Sequence, residues 1–160
     1  FNGKMEFGAR ALGNRSILCH PGYPGMKKIL NDRIKKREPF RPFAPIVLEK
    51  HTKNIFEKTQ PSKYMLHVYK IKKSWRKKLS AVNHVDNTGR LQTLTKLQNP
   101  ILFELIKAFE KKTKIPVVLN TSFNENEPIV ETPSQAIECF LRTKIDVIVI
   151  NNFYCSKVNI

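Results

Sequence analysis

The sequence is short of acid. Only 13 Asp and Glu stand against 29 Lys and Arg, so 29 − 13 = 16 cations have no internal partner even with every carboxylate paired. That surplus points to an anionic partner (nucleic acid, a phosphorylated small molecule or an acidic neighbouring domain) or to a solvated basic surface. Long apolar runs are also missing. The strongest, Ile145 to Ile150, is interrupted by Asp146 and is too short to span a membrane. No basic stretch followed by an apolar run opens the chain, so no signal peptide is expected. Cysteine is scarce: Cys19, Cys139 and Cys155 lack CxxC spacing, which argues against a disulfide framework or a zinc site and suits thiols in a reducing cytoplasm. Neither GxGxxG nor Gly-Lys-Ser/Thr occurs, which excludes a dinucleotide fingerprint and a P-loop. What is present is material for one core. The 160 residues are 41% apolar, with no repeat and no linker, and they read as a single α/β or α+β domain. The opening Phe1-Asn2-Gly3 reads as the start of a piece of a longer protein.

Three helices are signalled. Met26, Ile29, Leu30 and Ile34 recur on one face. Asn99 then Pro100, and Thr132 then Pro133, are caps followed by first-turn prolines. The stripes behind them are Ile101, Leu102, Leu105, Ile106 and Phe109, then Ala136, Ile137, Phe140 and Leu141, all expected in the core. Strands are expected at 15–19, 45–48, 64–70, 91–94, 117–120 and 147–150. The order strand, helix, strand between Val117 and Ile150 predicts a βαβ unit with parallel pairing, both strands covered on both faces.

Four stretches have the residue types for chemistry. Gly3 to Ser16 carries three glycines, with Arg10 and Arg15 able to fork onto phosphate oxygens. Lys35 to Pro45 holds three prolines that stiffen the backbone projecting Arg37, Phe40, Arg41 and Phe43. Stiffness lowers the entropy lost on gripping a ligand. His84 to Thr93 contains a turn at Asn87–Gly89, a possible His84–Asp86 acid–base pair, and Arg90 leading into a strand. Asn120-Thr121-Ser122-Phe123-Asn124 follows a strand directly, where ligands of open α/β sheets bind. Each stretch also has a plain reading as connector, solvated charge or turn.

Taken together, the runs Met5-Glu6-Phe7-Gly8, Arg10 to Ile17, Arg37 to Pro45, His84-Val85-Asp86, Arg90, Gln92-Thr93, Leu119 to Asn124 and Glu127 to Val130 closely resemble the C-terminal region of nodulation-type and antibiotic O-carbamoyltransferases. The resemblance spans nearly the whole chain in the family's order. It implies a YrdC-like domain, a twisted mixed sheet with flanking helices, over residues 1–160. It also implies that an actin-like ATPase-type N-terminal domain, with its own metal, lies outside the sequence. In that family the YrdC-like domain binds carbamoyl phosphate and ATP, with Mg²⁺ escorting the nucleotide, and forms carbamoyl adenylate. The carbamoyl group then passes to an acceptor hydroxyl in the N-terminal domain. By position, Arg10, Lys35, Arg41 and Arg90 are the implied catalytic residues. Arg15, Arg37, Asn120, Thr121, Ser122 and Asn124 are the implied substrate- and phosphate-binding residues.

Charge arithmetic agrees with the resemblance. The two substrates together carry about six negative charges, roughly two per terminal phosphate. Bringing them together needs fixed cations, and positioning with electrostatics then suffices without a protein nucleophile. The competing reading is an RNA-binding module of the same fold, suggested by the net charge and by Lys70, Lys72, Lys73, Arg76, Lys77 and Lys78 around Trp75. An RNA binder needs more exposed aromatics than this sequence offers, so nucleic acid is the disfavoured partner.

Overall fold

The computed structural model describes residues 1–157. In chain order its elements are β1 (Ser16–Cys19), α1 (Met26–Ile29), β2 (Ala44–Leu48), α2 (Thr52–Ile55), β3 (Val68–Lys70), α3 (Lys73–Arg76), β4 (Thr88–Arg90) and β5 (Gln92–Leu94). The second half adds α4 (Pro100–Thr113), β6 (Val117–Ser122), α5 (Pro133–Arg142), β7 (Val147–Ile150) and β8 (Phe153–Ser156). The chain divides into two compact units. One comprises residues 1–17, 28–41 and 121–157, the other residues 18–27 and 42–120.

Both long helices start where cap chemistry demands. The Asn99 side chain accepts from the Leu102 N–H, and Pro100 occupies the first turn, where its missing donor goes unused. Thr132 and Gln135 form a full capping box at the start of α5.

The unit of residues 18–27 and 42–120 is built on a mixed sheet in the order β1-β6-β2-β5. β2 runs antiparallel to β6, with Ala44 opposite Asn120, and parallel to β5, with Ile46 opposite Gln92 and Leu48 opposite Leu94. Every residue of β2 is buried, as a central strand covered on both faces requires. Ile46, Leu48, Leu94 and Val118 pack with Leu102 and Ile106 of α4 in the main core. Each such buried side chain stabilises by about 1.5–3 kcal/mol. β3 and β4 form a separate antiparallel ladder. The mixed α/β class expected from the sequence is the one observed.

The other unit carries the antiparallel β7–β8 hairpin, Val147 opposite Ser156 and Ile150 opposite Phe153. Beside it, α5 buries Ala136, Cys139 and Phe140.

Several expectations need correction. No parallel βαβ unit joins 117–120 to 147–150: β7 takes β8 as its antiparallel partner, and the parallel pair is β2 with β5. The cause is local. Asn151, left-handed at φ 52°, closes a two-residue turn after Ile150 and brings Phe153 back against it. Val147 and Val149 are consequently exposed rather than covered. The strand expected at 64–70 shrinks to Val68–Lys70, since Met65 is left-handed at φ 57°. The strand expected at 91–94 is β5, starting one residue later at Gln92, and the preceding Thr88–Arg90 forms the further strand β4. The first helix passes into a π-helical turn, Leu30–Lys35. Ile101, Leu105, Ile137 and Leu141 leave their stripes for the surface.

Candidate functional site

The opening segment is a loop folded around its own acid. Gly3, Gly8 and Gly13 all take positive φ, a conformation open to glycine at no steric cost. The Glu6 carboxylate then accepts the N–H groups of Leu12 at 2.8 Å and Asn14 at 2.7 Å. Arg10 stands exposed on this closed loop. Arg15 does the opposite. It is only 4% exposed, and its guanidinium donates to the carbonyls of Asn2, Gly3 and Asn14 at 3.0–3.1 Å while lying 3.4 Å from the Phe1 ring centre. Burial lowers its pKa, against the nearby Glu6 charge.

The π turn organises the proline-stiffened stretch. Asn31 is fully buried, and its Nδ2 donates to the carbonyls of Pro39 at 3.3 Å and Arg41 at 3.1 Å. Arg37 Nε donates to Asn31 Oδ1. Lys36 closes the turn in left-handed backbone, its N–H donating to the Asn31 carbonyl. The Arg41 side chain points outward, with Glu38 at 3.8 Å.

Lys35 ends the same turn and runs inward. It is 2% exposed. Its Nζ donates to the Ser122 carbonyl at 2.6 Å, the Asn124 carbonyl at 2.8 Å and Asn124 Oδ1 at 2.5 Å, with Ser122 Oγ at 3.3 Å. Burial pushes the ammonium down to about 7, Arg37 adds to the fall, and the Glu127 carboxylate opposes it. The Cys139 thiol, buried and beside Glu127, is pushed up to about 11 and stays protonated at neutral pH. Asn124 Nδ2 donates to the Glu127 carbonyl, and Arg142 of α5 pairs with both Glu125 and Glu127. One connected network therefore fixes Ser122 and Asn124 in place.

Arg90 and Asn120 belong to the other unit. Arg90 ends β4, half-buried. Asn120 is 1% exposed and its Nδ2 donates to Gln92 Oε1 at 2.9 Å. His84 and Asp86 are bridged rather than paired: Thr88 Oγ1 donates to Asp86 Oδ1 at 2.7 Å and lies 3.0 Å from His84 Nδ1. Because Thr88 has one hydroxyl proton and gives it to Asp86, the imidazole must donate through Nδ1. Burial lowers the His84 pKa, so the ring is neutral.

The structure thus joins Lys35, Ser122 and Asn124 directly, and Arg37 with Asn31. Arg10 and Arg41 are presented to solvent, Thr121 is half-buried, and Arg15 is enclosed. Sequence reasoning missed Asn31, Glu125, Glu127 and Arg142. A buried-register asparagine among Leu30 and Ile34 was the one signal for the first; Glu127 opens the Glu127 to Val130 run, and nothing local marks Glu125 or Arg142. Among the described residues no group of three or more His, Cys, Asp or Glu could hold a metal ion, and no helix is long and apolar enough to cross a membrane.

The sequence pattern of the carbamoyltransferase C-terminus family matches residues 1–157. Nodulation protein NolO of Bradyrhizobium diazoefficiens is 45% identical over 97% of this chain and 29% of its own length. Nodulation protein NolNO of Sinorhizobium fredii is 45% identical over 97% of the chain and 23% of its own. An uncharacterized protein of Methanocaldococcus jannaschii is 41% identical over 98% of the chain and 26% of its own. The chain spans less than a third of the length of these relatives. A match that runs through every stretch described above places the chain in the carbamoyltransferase C-terminus family.

Proposed function

We propose that this chain is the part of a carbamoyltransferase that binds carbamoyl phosphate and ATP and, consuming water and releasing phosphate and pyrophosphate, forms carbamoyl adenylate. The carbamoyl group is then passed, with AMP leaving, to the hydroxyl of an acceptor bound in a preceding actin-like ATPase-type domain that holds its own metal. Family membership supports the reaction class. The anion-binding role rests on one observation: Arg41 is exposed on a backbone whose carbonyls at 39 and 41 are held by the buried Asn31. A guanidinium on a fixed backbone grips phosphate with little entropy loss.

In this reading Arg10 and Arg41 meet the substrate phosphates from solvent, while Arg90, in the other unit, is a candidate by the resemblance. Lys35 holds the Ser122–Asn124 backbone in position from beneath. Arg37 is oriented by Asn31, and Thr121, Ser122 and Asn124 offer hydrogen bonds to the neutral parts of the ligand; Asn120, in the other unit, is a candidate by the resemblance. Mg²⁺ arrives on the ATP phosphates. Such an ion would neutralise phosphate charge alongside the arginines.

The preference for small phosphates over RNA rests on family membership. The expected shortage of exposed aromatics does not hold: Phe7, Tyr23, Phe40, Tyr64, Phe153 and Tyr154 are exposed, although Trp75 is half-buried, with Lys78 Nζ 4.9 Å from its ring centre.

Calorimetric titration tests the reading. Arg10→Ala and Arg41→Ala each remove a charge-assisted contact and should weaken carbamoyl phosphate or ATP binding by about 1.5–3 kcal/mol. Unchanged affinity in both variants overturns the site. Pyrophosphate exchange into ATP that depends on carbamoyl phosphate, run on the full-length protein, tests the adenylate.

A further inference from the structure

We propose a second ligand site, at the carboxyl ends of the parallel strands β2 and β5, for a small organic anion that carries an aromatic ring. It does not depend on the carbamoyl phosphate reading, and none of the ten candidate residues above lines it.

β2 and β5 run in the same direction and end together at Leu48 and Leu94. The chain leaving them, with residues 59–61 and α4, surrounds an open cavity of about 650 Å³. Cavities of this size beyond the carboxyl ends of parallel strands are the usual place for small ligands.

Its walls are divided by chemistry. Leu94, Pro61 and Phe103 line it with apolar surface, and Phe103 supplies an aromatic face. Lys50 follows β2, Lys96 follows β5, and Lys53 comes from α2. Against these three cations the lining has one carboxylate, Glu49, so the cavity carries a net charge of 3 − 1 = +2. Lys96 has Glu104 at 3.5 Å in an exposed pair. Lys50 and Lys53 make no ion pair among the described residues.

The wall is also built in advance. Ser62 and Thr93 exchange two hydrogen bonds, Ser62 N–H to Thr93 Oγ1 at 3.0 Å and Thr93 N–H to the Ser62 carbonyl at 2.9 Å. They pin the 59–62 segment to β5. Within that segment Thr59, Gln60 and Pro61 line the cavity. Ring on Phe103 and Leu94, anion on the lysines: that division selects an aromatic phosphate or carboxylate over a bare ion.

Phenyl phosphate is the probe, titrated into the full chain by calorimetry. The expected dissociation constant is about 1 mM or tighter. Inorganic phosphate, which lacks the ring, and phenol, which lacks the charge, should each bind at least about 10-fold more weakly. Lys50→Gln with Lys96→Gln should weaken phenyl phosphate about 10-fold, at an unchanged thermal midpoint. Arg41→Ala should leave this affinity alone. The proposal is overturned by no binding, by equal affinity for inorganic phosphate, by indifference to the lysine variant, or by a loss in Arg41→Ala, which would move the ligand to the other site.

Discussion

Arg37 Nε donates to Asn31 Oδ1 at 2.8 Å, and that contact decides which way the Asn31 amide points. With its oxygen engaged, the amide nitrogen faces the carbonyls of Pro39 and Arg41. The Asn31 carbonyl meanwhile accepts the N–H of Arg37 at 3.0 Å. A single buried side chain in the π turn therefore sets the backbone that displays Arg41. Asn31→Ala would leave one donor and two acceptors without their partner, and should cost about 2–4 kcal/mol of stability. Urea unfolding should show a lower midpoint with an unchanged slope. Asn31→Asp keeps the bond to Arg37 but loses both donations, and should fall between.

Lys35 makes stability depend on pH, with a definite sign. Its folded value is about 7, set by burial first and by Arg37 second, against an ordinary 10.5. Below pH 7 the group is protonated in both states, and the penalty of burying the charge is fully present. Between pH 7 and 10.5 the unfolded chain binds the extra proton, so stability rises with pH across that window, by at most about 1.4 kcal/mol per pH unit. Lys35→Met lacks the effect. The difference in unfolding free energy, wild type minus variant, should climb from pH 7 to pH 10 in denaturant titrations; a flat difference would show that Lys35 titrates normally.

Arg15 separates holding the fold from holding a ligand. Its guanidinium spans three carbonyls and covers the Phe1 ring, a planar fork that an ammonium cannot copy. Arg15→Lys should therefore lose about 2–4 kcal/mol of stability, nearly as much as Arg15→Ala. Arg10→Ala, on the exposed side of the same loop, should leave the thermal midpoint within about 2 °C. Scanning calorimetry on the three variants checks the contrast.

What the sequence made legible was local. Asn99–Pro100 and Thr132–Pro133 marked two helix starts because a cap and a fixed φ act within four residues. The glycine spacing of the first stretch marked real positive-φ positions. Strand partners were another matter. The apolar run 147–150 read as a strand buried on both faces, whereas its partner was set by the Asn151–Asn152 turn, a hairpin signal that lay in plain view. Cations were the hardest to place. Arg10 and Arg15 sit five residues apart in one motif, yet one is exposed and the other enclosed, because only three converging carbonyls decide it. Those carbonyls belong to residues 2, 3 and 14, and no side-chain pattern announces them.

Asn120 and Gln92 reach each other over the top of β2. Asn120 pairs with Ala44 and Gln92 with Ile46, so both amides project on the face of β2 that carries those two residues. Strands on either side of a third lie roughly 9–10 Å apart, a gap that two amide side chains can close and shorter ones cannot. The small Ala44 methyl leaves room for the 2.9 Å bond. Asn120→Ala and Gln92→Ala should each cost about 1–3 kcal/mol, and a double-mutant cycle should return a coupling of about 0.5–1.5 kcal/mol. Ala44→Leu, which touches neither amide's chemistry, should intrude on the bond and cost about 1–3 kcal/mol by overpacking. If the amides matter only as separate surfaces, the cycle closes at zero. If the bond anchors the start of the 120–124 stretch, the coupling energy and the loss from Ala44→Leu appear together, because both report the same contact.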